Sequence, residues 1–256
     1  MSGAAGIIGG VTVVVFAALR VEIDLLVAAL DQPRHAAIAD WPVWSGEMSG
    51  TAVVLALAGM GKVNTAALAG AVWERHRPHT MVFTGVAGAL DPTLQVGDIV
   101  IGERTVQHDW GVIAPGGLQR HQAGHIPFFN PTDDWGFTPS AELIELAHRV
   151  ASETELTSVL GHLPSVRFGT IATGDQFLHD PVTRDALFAD LGAAAIEMEG
   201  AALAQAAARF GVDHLVIRSV SDLAGEDSVE DFARFLPEVA ANSARIVQAL
   251  VARLAG

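Results

Sequence analysis

Carboxylates placed at the ends of apolar segments are the residues of this chain best set to do chemistry. Glu197 and Glu199 flank Met198 at the head of an alanine-rich stretch whose apolar positions recur at helical spacing, so the acidic pair is expected near a helix N-terminus. The helix macrodipole favours their ionised forms there. Further on, His214-Leu215-Val216-Ile217 reads as a strand buried on both faces, and the polar Arg218, Ser219, Ser221 and Asp222 follow it. Sites in open α/β sheets form at the carboxyl ends of strands. Glu-Met-Glu alone is equally well a solvated helix start. Joined to a buried strand ending in Ser221-Asp222 within one βαβ-sized unit, it predicts carboxylates aimed at one crevice, the equipment of general acid–base chemistry.

Such residues need strands and turns to hold them. Residues 11–17 are β-branched and continuous, as in a buried central strand, and 22–30 form an amphipathic helix, which puts Glu22 at a strand-to-helix junction. Segments 42–47 and 51–58 flank Met48-Ser49-Gly50 as a hairpin. Gly59-Met60-Gly61-Lys62-Val63-Asn64 then leads into a helix over 66–76, and its two glycines let backbone N–H groups approach an anion or a ligand oxygen. It is not a nucleotide fingerprint: Ala56 and Val63 break the Walker pattern and Asn64 the dinucleotide pattern. Residues 80–84 form a buried strand, and Gly85-Val86-Ala87-Gly88-Ala89-Leu90 turns out of it, either as a plain tight turn or to admit a ligand close to the backbone. The stretch 94–101 leads into a strand that continues to Asp109. Residues 110–139 are rich in Gly, Pro, His and Phe without periodicity, the mark of a functional or interface segment. A helix is expected over 141–152 and a strand over 166–173. The following loop carries Phe177, which serves either as core or as a stacking platform. Ser228-x-x-Asp231 reads as a capping box opening a last amphipathic helix that runs to Leu254.

Composition narrows the classes. The 256 residues are expected to form one domain, with 1–10 as a flexible lead, and half of them are hydrophobic. A net charge of −14 and a pI near 5.0 argue against nucleic acid and anionic membrane as partners. The absence of cysteine excludes disulfides, thiol catalysis and thiolate zinc sites. The apolar start has no basic lead, and Arg20 and Glu22 close it short of the ~20 residues a membrane span needs, so a cytoplasmic protein is expected. His121 and His125 stand at i, i+4 without a zinc-protease pattern, and no G-x-S-x-G elbow occurs. Neither metal nor cofactor is expected.

Seven blocks in order carry a family resemblance: Ala17-Ala18-Leu19-Arg20-Val21-Glu22, Gly59-Met60-Gly61-Lys62-Val63, Thr84-Gly85-Val86-Ala87-Gly88, Val96-Gly97-Asp98-Ile99-Val100, Thr173-Gly174-Asp175-Gln176-Phe177, Glu197-Met198-Glu199-Gly200-Ala201 and Ile217-Arg218-Ser219-Val220-Ser221-Asp222. Together they resemble the 5′-methylthioadenosine/S-adenosylhomocysteine nucleosidases of the nucleoside phosphorylase superfamily. The resemblance implies a three-layer α/β/α fold around a central mixed, partly barrel-like sheet, and a homodimer. It implies hydrolysis of the N-glycosidic bond of 5′-methylthioadenosine and S-adenosylhomocysteine, with 5′-deoxyadenosine within the same chemistry. Glu22 matches the base that activates water, Glu199 the carboxylate that holds the ribose hydroxyls and Asp222 the acid that protonates adenine, oriented by Ser221. Met198 would contact ribose, Phe177 would stack on adenine and the Leu178 backbone would read its edge. Leu19, Met60, Val86, Ala87, Gly88 and Glu197 complete the implied substrate contacts, and Ile126, Pro127 and Phe128 would reach into the partner subunit's site.

The chain departs from the family's pattern at Arg20 and Val21, where acidic residues are common, and at Val86, where many relatives carry Ser. A phosphorylase, a futalosine-type hydrolase and a non-catalytic nucleoside-binding domain are the alternatives. The intact Glu22, Glu199 and Asp222 speak against the last. Phe83, Gly85 and Val86 stand where phosphorylases place an arginine and a hydroxyl around the glycine, which favours water as the nucleophile.

Overall fold

The computed structural model describes residues 12–254; the expected lead over 1–10, and Val11 with it, lie outside these residues. The strands are β1 (Thr12–Ala17), β2 (Asp31–Ile38), β3 (Trp41–Met48), β4 (Thr51–Leu57), β5 (Thr80–Ala89), β6 (Ile99–Gln107), β7 (Gly111–Ala114), β8 (Gly117–Arg120), β9 (Val166–Thr173), β10 (Ala195–Glu197) and β11 (Asp213–Asp222). The helices are α1 (Arg20–Ala28), α2 (Lys62–His76), α3 (Ala141–Glu153), α4 (Pro181–Leu191), α5 (Gly200–Phe210) and α6 (Ser228–Leu254).

The unbroken apolar run of β1 follows from cover on both faces. Val14 and Phe16 join Leu68, Ala69 and Val72 of α2 and Leu203 and Ala207 of α5 in one core. Val13, Val15 and Ala17 join Ile23 and Leu26 of α1, Leu143 and Val150 of α3, and Val247 and Leu250 of α6 in the other. Alternation along a pleated strand thus divides one apolar segment between two helical layers.

Nine strands pair in the order β10-β9-β6-β11-β5-β1-β4-β3-β2, and β10 also pairs with β5. That second pairing closes β5, β11, β6, β9 and β10 into a five-strand barrel and leaves β1, β4, β3 and β2 as an open wing. β5 serves both parts because of its length: Thr80 to Phe83 align with β1, and Gly88 and Ala89 with β10. The expected turn at Gly85 is therefore corrected. All ten residues of β5 are buried, and the strand pairs with β11 as far as Gly88.

The β3–β4 hairpin forms as expected, with Ser49 and Gly50 at φ 52° and 81°, the left-handed pair that a two-residue turn demands. β2 had no periodic signal. It is an edge strand containing Pro33, exposed at every position except Ile38. The aperiodic 110–139 stretch contains the β7–β8 hairpin. The loop after Phe177 gives way to α4, whose first turn is capped by Asp180 accepting the Thr183 N–H at 2.8 Å. Ser228 does not act as the expected cap: its hydroxyl donates to the Leu178 carbonyl at 3.4 Å and bonds His179 Nδ1 at 2.8 Å. Among the described residues no helix is long and apolar enough to cross a membrane.

Ser140 caps α3 by accepting the Leu143 N–H at 3.1 Å, and Asp213 at the start of β11 holds the Ser140 N–H at 3.0 Å. Ser140→Ala is expected to cost about 1 kcal/mol of stability in urea titration and to leave activity unchanged, because the cap lies at the start of β11, away from the strand's Asp222 end.

Candidate active site

The carboxyl ends of β1, β5, β10 and β11 surround a cleft. It is lined by Ala18, Leu19 and Glu22, by Met60, by Val86, Ala87 and Gly88, by Phe177, by Ile196 through Glu199, by Arg218, Ser221 and Asp222, and by Phe232. Larger surface clefts exist, such as the one formed by His148, Leu156, Leu163 and Phe168, but they contain no convergent carboxylates.

Glu22 sits in the first turn of α1 and points back under β1. Its Oε2 accepts the N–H groups of Ala18 at 3.0 Å and Leu19 at 2.7 Å, and its Oε1 accepts that of Val86 at 3.1 Å. Burial pushes its pKa up, against the pull of Arg218 and the three N–H donors. Oε1 keeps a lone pair for a ligand.

Glu197 and Glu199 do not share a helix as expected: Glu197 ends β10 and Glu199 is the N-cap of α5. Consecutive residues there switch from strand to helix, so the two carboxylates take different partners. Glu199 accepts the Gly61 N–H at 2.7 Å and faces Arg218 Nη2 at 3.3 Å. Its pKa is pushed up to about 7 by burial, helped by the charges of Glu197 and Glu22 and opposed by Arg218 and the Gly61 N–H. The two glycines before α2 thus bring a backbone donor to a carboxylate of the protein itself.

Arg218 is the residue that sequence patterns passed over. Its side chain is 1% exposed, ion-paired to Glu197 and Glu199 and stacked over Phe83 with the guanidinium carbon 4.5 Å from the ring centroid. Among the described residues its Nε has no hydrogen-bond partner. A polar residue closing a buried strand was the available signal. Ala18, Ile196 and Phe232 are the other lining residues not anticipated.

Asp222 closes the far side. Its Oδ1 accepts the Ala224 N–H at 2.9 Å and its Oδ2 the Ser221 hydroxyl at 2.9 Å. Burial raises its pKa, with the two hydrogen bonds opposing, Asp231 adding to the rise and His179 reducing it. Phe177 is half exposed over the opening and meets Phe232 of α6 edge to face, centroids 5.9 Å apart, so it is not core. Val86 packs with Val96, Phe235 and Val239 beneath α6.

The side chains of some residues named from the sequence face away from this cleft. The Leu178 side chain turns away from the cleft into a small core with Leu90, Ala172 and Leu187. Glu197 borders the cleft, but its oxygens are engaged by protein donors. Ile126 and Pro127 line a separate cleft with Arg120 and Trp135, and Phe128 is exposed to solvent. Arg20 pairs on the surface with Asp24 at 2.9 Å, out of reach of the cleft.

Residues 12–252 match the model of the phosphorylase superfamily. The chain belongs to that superfamily. It is 45% identical over 247 residues, 94% of this chain and 97% of the relative, to a 5′-methylthioadenosine/S-adenosylhomocysteine nucleosidase of Mycobacterium bovis. The nucleosidase of that name from Neisseria meningitidis, solved in complex with methylthio-immucillin-A, superposes with a TM-score of 0.82 at 33% identity, covering 94% of this chain and 99% of that one. A futalosine hydrolase mutant of Helicobacter pylori gives the same TM-score at 26% identity, covering 95% and 99%. The superfamily fold is therefore common to enzymes of different nucleosides, and the residues in the cleft must decide between them.

The raised pKa of Glu199 makes a stability statement. Because its folded value of about 7 exceeds the free value of 4.5, folding favours the protonated form; that contribution is complete below pH 4.5 and is lost as the pH rises through 7. Glu199→Gln, neutral throughout, is expected to exceed the wild type in stability at pH 8 and to lose that advantage towards pH 5. Urea titrations at the two pH values decide it; an advantage larger at pH 5 contradicts the sign.

Proposed function

We propose that the protein hydrolyses the N-glycosidic bond of 5′-methylthioadenosine and S-adenosylhomocysteine, releasing adenine and the thioribose. The observation that carries this is the convergence of Glu22, Glu199 and Asp222 on one cleft beside an aromatic shelf. The 45% identical relative bears the name of that nucleosidase, whereas the futalosine hydrolase match is 26% identical, which favours the methylthioadenosine reading.

Adenine stacks on Phe177 with Phe232 behind it, and Asp222, whose proton affinity burial raises, gives its proton to the ring as the glycosidic bond breaks. The bond's electrons leave with the base, and positive charge develops on the sugar. Glu199 binds the ribose hydroxyls and, with Glu22, stabilises that charge. Water adds to the anomeric carbon and loses a proton to Glu22 Oε1, whose proton affinity burial raises.

Water rather than phosphate is the nucleophile because the backbone cradle for an anion is already filled. The Ala18, Leu19 and Val86 N–H groups all donate to Glu22, and Phe83 and Val86 offer no side-chain donor. A phosphate brought there would meet the Glu22 carboxylate.

The protein works as a cytoplasmic homodimer in this proposal. The 110–139 stretch exposes Ile113, Phe128 and Phe129 at 85%, 78% and 81%, more apolar surface than a lone subunit favours. Ile126, Pro127 and Phe128 would then complete the partner's cleft on the side of the 5′ substituent. Light scattering at micromolar concentration is expected to give twice the 26.7 kDa chain mass; a monomeric mass refutes the dimer.

Adenine release from methylthioadenosine is expected at full rate in phosphate-free buffer, with free thioribose as the sugar product. A phosphate requirement with a sugar 1-phosphate product replaces hydrolase by phosphorylase. Glu22→Gln and Asp222→Asn are each expected to lower turnover about 10²-fold or more, and near-normal turnover removes that residue from the mechanism.

A further inference from the structure

Glu197 stands in the cleft wall without a free oxygen. Its Oε1 accepts the Gly200 N–H at 3.0 Å and the Thr173 hydroxyl, and its Oε2 accepts the N–H groups of Glu199 at 3.0 Å and Gly200 at 2.8 Å together with Arg218 Nη2. These donors come from β9, from the first turn of α5 and from β11. The Thr173 hydroxyl also accepts the Ala201 N–H at 2.8 Å, so one carboxylate and one hydroxyl satisfy the opening N–H groups of α5. Four donors, the Gly200 N–H shared between both oxygens, fill the lone pairs that a carboxylate offers.

The same carboxylate sets where the site's only buried cation stands. Arg218 Nη2 lies against both Glu197 and Glu199, while Nη1 and Glu22 Oε1 crowd Gly85: a Cβ there would lie 2.4 Å from the one and 2.6 Å from the other. Glu197 draws the guanidinium from one side as Glu199 and Glu22 draw it from the others. We infer that Glu197 is a positioning residue, one that touches no substrate but fixes Arg218 and the first turn of α5 so that Glu199 and Glu22 are aimed and their charge is shared among three carboxylates by one arginine. This deepens the nucleosidase proposal and rests on it.

Glu199 faces Glu22 from α1, Glu197 from β10, Arg218 from β11 and the Gly61 N–H ahead of α2. Glu197 in turn faces Arg218, Thr173 and His108 at the end of β6. Neutralising Glu197 removes one repulsion from Glu199 and leaves Arg218 to two carboxylates, so both must ionise at lower pH. A residue that merely holds the chain in shape would not move an ionisation.

The test measures kcat and KM for methylthioadenosine from pH 5 to 9 in wild type, Glu197→Gln and Glu197→Asp. Glu197→Gln is expected to lower kcat at least tenfold and to move the acid limb of kcat/KM down by about one pH unit. Glu197→Asp keeps the charge but withdraws it by one methylene; it is expected to lower kcat at least tenfold, with KM within about threefold and the limb where wild type has it. An unmoved limb in Glu197→Gln overturns the proposal. Should that variant not fold, wild-type kcat in Glu197→Asp overturns it alone, and a tenfold loss with the limb in place supports it. If the wild type itself releases no adenine, the nucleosidase reading falls and this one with it; if it does, only the positioning of Glu197 is in question.

Discussion

Arg218 is a full positive charge with 1% of its side chain exposed, set among Glu22, Glu197 and Glu199, and the rest of the site is arranged around it. Taking one cation and three carboxylates out of water is costly, and attraction offsets that cost only where every donor and acceptor is engaged. The three acids are accordingly supplied with backbone donors: three N–H groups for Glu22, one for Glu199, two for Glu197. One arginine still cannot neutralise three anions. Burial raises the proton affinity of Glu199 and the charges of Glu197 and Glu22 add to the rise, and the surplus negative charge is what a cationic sugar in the transition state would meet.

That cluster explains features of the fold that are otherwise unmotivated. Glu197 and Glu199 reach Arg218 because β10 closes the barrel against β5, a three-residue strand whose pairing with Gly88 and Ala89 fixes its height relative to β11. Gly85 is glycine because the guanidinium and the Glu22 carboxylate fill the space of its side chain. Gly88 is glycine because a Cβ would lie 3.0 Å from Asp222 Oδ1 and 3.1 Å from the Ala224 Cβ. The barrel seam thus carries Glu197 and Glu199 on one rim and Asp222 on the other, with β5 backbone between them.

Much of this was legible in the sequence, and the gaps have physical causes. Buried strands announced themselves because both faces of β1, β5 and β11 are apolar. β2 is a solvated edge strand and carried no such periodicity. The acidic pair was visible, but a strand of three residues is too short to show alternation, so Glu197 was assigned to a helix it only abuts. Arg218 was hidden because a charge at the end of an apolar run is ordinarily an exit to solvent. Only the tertiary return of β10 shows that it is enclosed.

The choice of nucleophile shows how little of the fold has to change for the chemistry to change. Val86 within β5 and the junction after β1 present three backbone N–H groups to one point, a cradle suited to any anion. Here a glutamate on the first turn of α1 fills it from within the chain. Where a side-chain donor could strengthen binding of an outside anion stand Phe83, whose ring lies under Arg218, and Val86, which is turned into the apolar cluster below α6, and neither offers one. Arg20, the nearest free cation in sequence, is drawn off to Asp24 on the surface. An anion from solution would have to displace a carboxylate held by three donors and enter a site already carrying excess negative charge. A neutral water meets neither obstacle, and it finds at Glu22 Oε1 a lone pair with raised proton affinity. In this chain the three N–H groups that could cradle an anion hold the Glu22 carboxylate instead.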